Sequence, residues 1–125
     1  MALTNLPAAI AATMIQAITT TGLFISIHSA APGPTGANEL VGGTAYTGTR
    51  PAVTWGAITA GVILSTNSQT YPMLVLQATG VPDFGIWTAA SGGTYLGGGA
   101  ISGASGSVAV GASLVIGSIS ITVSG

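Results

Sequence analysis

Ser113-Leu114-Val115-Ile116-Gly117-Ser118-Ile119-Ser120-Ile121-Thr122-Val123 reads as the clearest strand in the chain. Ile119, Ile121 and Val123 fall on one side of an extended backbone, and Ser118, Ser120 and Thr122 on the other. Successive side chains of a strand point to opposite faces, so this period predicts a strand over 113–123 with one apolar face. The same period appears near the other end, where Leu23, Ile25 and Ile27 alternate with Phe24, Ser26 and His28. Between them, Gly, Pro, Ser, Thr and Asn punctuate short β-rich runs at 44–49, 51–58, 61–66, 70–78, 84–88, 94–101 and 107–110. Strands at this close spacing, with no recurring helical pattern to act as crossovers, predict a mainly β fold. The expected architecture is an antiparallel β-sandwich or jelly-roll-like domain over 23–125.

Residues 1–22 stand outside that pattern and are expected to form a short N-terminal helix. Asn5 is placed to cap it, and Pro7 sits in the first turn, where its missing N–H costs nothing. Ile10, Met14, Ile15 and Ile18 share one helical face, and Gly22 supplies a stop. This segment is expected either to anchor the chain to a neighbour or to cap its own sandwich. Thr4, Asn5, Pro7, Thr13 and Gln16 dilute it, and no Lys or Arg flanks it, so neither a membrane span nor a signal peptide is expected.

Charge narrows the function classes. Only 2% of the 125 residues are charged, against 48% hydrophobic, and the net charge is −1. Arg50, Glu39 and Asp83 are the whole ionic inventory, with His28 beside them. One arginine cannot neutralise a nucleic-acid backbone, so no nucleic-acid partner is expected. The chain has no cysteine, which excludes disulfides and thiolate metal sites. A soluble monomer normally carries a charged surface that repels its copies. A chain without one is expected to be a permanent member of an assembly that covers its apolar surface.

The chemistry-bearing residues are few. His28 with Glu39 and Asp83 has the ligand types of a facial metal triad, but spacings of eleven and forty-four residues carry no signature. His28 is expected to end a strand and bond a loop backbone. Glu39 is expected in the loop, and Asp83, after Val81-Pro82, at a turn. Arg50 is expected to pair with Glu39 or Asp83, fixing register more than adding stability. Gly103-Ala104-Ser105-Gly106 fails the nucleophile-elbow form, and Gly97-Gly98-Gly99 lacks the Lys-Ser/Thr of a phosphate loop, so it reads as a turn or bulge. The aromatic residues Phe24, Tyr46, Trp55, Tyr71, Phe84, Trp87 and Tyr95 are spread singly and read as core. No catalytic, cofactor-binding or metal residue is assigned, no cofactor is expected, and the chain is not expected to be an enzyme.

Three stretches carry a resemblance. They are Ile27 to Leu40 (IHSAAPGPTGANEL), Gly42-Gly43-Thr44-Ala45-Tyr46 followed by Arg50-Pro51-Ala52-Val53-Thr54-Trp55, and Phe84 to Gly99 (FGIWTAASGGTYLGGG). In this order they resemble small virion proteins of tailed phages, of the tail-fibre-like, minor tail or capsid decoration kind. The resemblance covers about residues 23–101 and implies no catalytic residue.

Resemblance and charge together point to a non-enzymatic structural protein of the virion, assembled in the host cytoplasm. Capsid decoration or cementing is the first expectation, a tail or tail-fibre component touching the host surface the second, and a small carbohydrate-binding module the third. The expected partners are copies of the chain, in a closed oligomer such as a trimer, and other virion proteins such as the major capsid protein. No membrane partner is expected.

Overall fold

In a computed structural model, residues 12–13, 15–17, 23–59, 61–102 and 106–122 are described. The described fold is mainly β, built from eight strands: β1 (Phe24–His28), β2 (Glu39–Leu40), β3 (Val62–Leu64), β4 (Gln69–Pro72), β5 (Asp83–Trp87), β6 (Tyr95–Ala100), β7 (Ser113–Ile116) and β8 (Ser120–Thr122). Every strand pairing is antiparallel. A four-stranded sheet runs in the order β2-β1-β5-β6, and two ribbons, β3-β8 and β4-β7, complete the fold. This matches the expected sandwich class.

The core forms where the sheet faces the ribbons. Ile25, Ile27 and Ile86 of the sheet meet Tyr71, Met73, Ile116 and Ile119 in one buried cluster. Tyr71 ties the layers together: its hydroxyl donates to the Ile25 carbonyl at 2.7 Å, and its ring meets Tyr46 edge-on at 4.9 Å. The aromatic residues are therefore not all single, because Trp87 and Tyr95 also pair edge-on, at 5.3 Å. No helix among the described residues is long and apolar enough to cross a membrane.

Several expectations change in detail. β1 alternates in sequence, yet Ser26 and His28 are as buried as Ile25 and Ile27. The strand is covered on both faces, the second cover being the 29–38 loop together with Trp87. The 113–123 run breaks at Gly117 into β7 and β8, which pair with different partners. Runs 44–49, 51–58 and 107–110 make only isolated bridges, at Tyr46, Ala52, Trp55 and Val108. Glu39 lies in β2 and Asp83 opens β5, not in a loop and a turn, because both pair with His28 across β1. Gly97, Gly98 and Gly99 lie inside β6, not in a turn, and the register shift between Gly97 and Tyr95, opposite Ile86 and Trp87, agrees with the alternative expectation of a bulge. A Cβ on Gly98 would collide with the Phe84 carbonyl, so close backbone approach is what the glycine there serves. The predicted helix falls mostly outside the described residues, of which Ala12, Thr13 and Ile15–Ala17 are helical and Ile15 is buried.

Candidate functional site

The polar residues gather on the outer face of β1. The loop after it, residues 29–38, closes on itself: Ser29 N–H donates to Asn38 O at 3.0 Å, Ala37 N–H to Pro32 O at 2.9 Å, and Asn38 Nδ2 to Ala31 O at 3.1 Å. Asn38 takes the left-handed conformation at φ 63°, which asparagine tolerates better than most residues. The loop thus returns the chain so that Glu39 pairs with His28.

Asp83 occupies the opposite side of the same row, against His28 across β5. Three titratable residues far apart in sequence therefore line up on one row of the sheet. Their side chains do not converge: no group of three His, Cys, Asp or Glu able to hold a metal exists among the described residues.

The His28 and Glu39 side chains are each occupied elsewhere. Arg50 is only 8% exposed, and its Nε and Nη2 fork onto the two Glu39 carboxylate oxygens at 2.7 and 2.9 Å. Its Nη1 donates to the carbonyls of Ala89 (3.0 Å) and Gly92 (2.7 Å), pinning the 89–92 turn. The guanidinium carbon lies 3.9 Å from the Trp87 ring centre. Such a planar fork, stacked on an aromatic face, is a role lysine cannot fill.

The network continues inward. Trp87 Nε1 donates to Ser26 Oγ at 2.8 Å, Ser26 Oγ lies 2.7 Å from His28 Nε2, and His28 Nδ1 lies 2.7 Å from the Ala37 carbonyl. A carbonyl only accepts, so Nδ1 carries a hydrogen. The Ser26 hydroxyl, already accepting from Trp87, has its own hydrogen to give to Nε2. Gly85 makes room for this chain, since a Cβ there would strike Ser26 Oγ and His28 Nε2.

Tyrosines around the network are held neutral. Burial pushes the Tyr46 hydroxyl up to about 12, with the Glu39 charge adding to the rise and Arg50 opposing it. Burial drives Tyr71 higher still, beyond the ordinary tyrosine range, with Tyr46 and Glu39 contributing. Tyr95 is also raised, by burial and then by Asp83.

The arrangement is a brace. It joins β1, β2, β5 and two loops through groups that already have partners, and its one hydroxyl–imidazole pair, Ser26 with His28, is fully buried. The expected His28-to-loop bond and the Arg50–Glu39 pair are both present. The roles of Ser26 and Trp87 were missed, and the lone buried-pattern serine inside an apolar strand was the available signal.

A comparison with curated proteins gives no match. A family model described as "Podophage GP4 fiber I protein gp80" matches residues 6–124. That span is nearly the whole chain, so the chain belongs to this family of phage fibre-type virion structural proteins.

Proposed function

We propose that the chain is a non-enzymatic subunit of a podophage tail fibre, acting by contact with its own copies, with other virion proteins and with the host surface. The family match over 6–124 carries this reading. It favours the tail-fibre alternative over capsid decoration, the first expectation from sequence. The brace supports a passive role, because its ionic and hydroxyl groups bond one another instead of facing a substrate. A carbohydrate-binding module draws no support, since none of the seven aromatic side chains is exposed.

Self-association is part of the proposal. Arg50 and Glu39 neutralise each other in a half-dry setting, so the surface holds almost no charge to keep copies apart. Residues 1–22 are proposed as the anchor to a neighbouring subunit and 23–125 as the β-sandwich body.

Separating purified particles into heads and tails and quantifying the chain in each tests the reading. The expected result is enrichment with the tail fraction at a copy number well below that of the major capsid protein. Recovery with heads, in proportion to the major capsid protein, would restore capsid decoration.

A further inference from the structure

Between β6 and β8 runs a slot that the fold leaves open. One part, of about 430 Å³, is lined by Ala100, Ile101, Ile116 and Ile119 among others, and the next, of about 230 Å³, by Ile86, Leu96 and Ile121. Phe84 and Ser120 line both, so the two are continuous. No charged residue lines either part.

Among the described residues, both walls of the slot are unpaired strand edges. Antiparallel ladders alternate between pairs that bond each other and pairs that point away. Ile101 N–H donates to Pro82 O at 2.8 Å, which sets the β5-β6 alternation so that the backbone groups of Gly98 and Ala100 point away from β5. Ser65 N–H donates to Ile119 O at 2.8 Å, which likewise turns the groups of Ser120 away from β3. Gly98, Ala100, Ser118 and Ser120 are all exposed, and these outward groups have no backbone partner among the described residues.

We propose that this slot receives an extended strand from a second copy of the chain, which hydrogen-bonds to the free edge of β6 over the apolar floor of Phe84 and Ile86. The inference deepens the self-association reading above and rests on it. Unpaired edges are a template for another strand, and proteins that avoid such pairing place Lys, Pro or a bulge there. β6 has no charge or proline in its exposed positions Leu96, Gly98 and Ala100, and its register shift is confined to the Tyr95–Gly97 end, so the edge from Gly97 to Ala100 stays regular. A lining without charge offers nothing to compensate a charged occupant, and a second copy of a chain with 2% charged residues suits it. β6 spans six residues, so a strand of similar length would cover it.

The full chain is tested by analytical ultracentrifugation with Ala100→Pro, which blocks the outward N–H without removing a bond to β5, and with Leu96→Lys. Leu74→Lys, on an exposed residue outside the slot, is the control. Self-association is expected to weaken at least tenfold in both slot variants and to be unchanged in the control, with circular dichroism unchanged throughout. Amide exchange at Gly98, Ala100 and Ser120 is expected to be slow in the oligomer and fast in dilute monomer. An oligomer that survives both slot variants overturns the slot while leaving self-association standing. Slow exchange in the monomer also overturns it, since the occupant then comes from the same chain. A wild type that stays monomeric at high concentration removes the self-association reading itself.

Discussion

Arg50 sits over Trp87 of β5, its guanidinium carbon 3.9 Å from the ring centre, while its fork holds Glu39 of β2, two strands away in the same sheet. One side chain thereby fixes the β1-β2 hairpin, the 89–92 turn and the end of β5.

Removing half of that ion pair strands the other half. Arg50→Ala is expected to destabilise the chain by about 3–5 kcal/mol, because Glu39, 14% exposed, would keep an uncompensated charge. The double variant Arg50→Met with Glu39→Leu is expected to cost much less than Arg50→Ala, since no charge is left behind. Urea unfolding of the single and double variants measures both. A double variant as unstable as Arg50→Ala would show that the stacking and the turn carbonyls carry the effect.

Two core tyrosines in edge contact are expected to respond oppositely to loss of their hydroxyls. Tyr71→Phe removes a bond to the Ile25 carbonyl and is expected to cost about 1–3 kcal/mol, the cost of an orphaned buried acceptor. The Tyr46 hydroxyl is buried with no partner, so Tyr46→Phe is expected to be neutral or stabilising. Thermal melts of the two variants make the comparison. Equal losses would mean that Tyr46 has a bonding partner in solution.

Alkaline pH should loosen the fold before either tyrosine ionises in place. In the unfolded chain Tyr46 titrates near 10.0, and in the folded chain near 12, so the unfolded state loses its proton first. The contribution is whole below pH 10 and declines as pH rises toward 12. Tyr71 shifts the same way. Phenolate absorbance followed together with circular dichroism is expected to show the buried tyrosines ionising as structure is lost. Ionisation near pH 10 in an intact fold would contradict the burial.

Adjacent glycines of β6 should differ sharply. Gly98→Ala places a methyl against the Phe84 carbonyl and is expected to disrupt β5-β6 pairing. A Cβ on Gly99 meets only the Phe84 ring, at 3.5 Å, so Gly99→Ala is expected to be tolerated. Expression and melting of the two variants read this directly.

What could be read from the sequence follows the range of the interactions. The run from Leu23 to His28 rests on local alternation and the 84–88 run on β-rich composition, and the structure has both as β1 and β5, whereas the alternating 113–123 run is split into β7 and β8. Arg50 was legible as pairing with Glu39 or Asp83 because so few charges exist, and the structure selects Glu39. The burial of Ser26 was not, since its cover comes from Trp87, 61 residues away. The 44–49 and 51–58 runs have strand-like composition, but Gly48 at φ 95° and Pro51 turn the chain there, and only bridges form. Gly97 to Gly99 look like a turn or bulge by composition, yet at Gly98 it is tight packing of β6 on β5 that needs the same residue.

Imaging of the intact particle, at a resolution that traces a chain, tests the central claim most directly. The prediction is that the β2-β1-β5-β6 sheet and its two ribbons fit density in an appendage of the tail, with neighbouring copies in contact. Density for this fold on the capsid shell, with none in the tail, would contradict it.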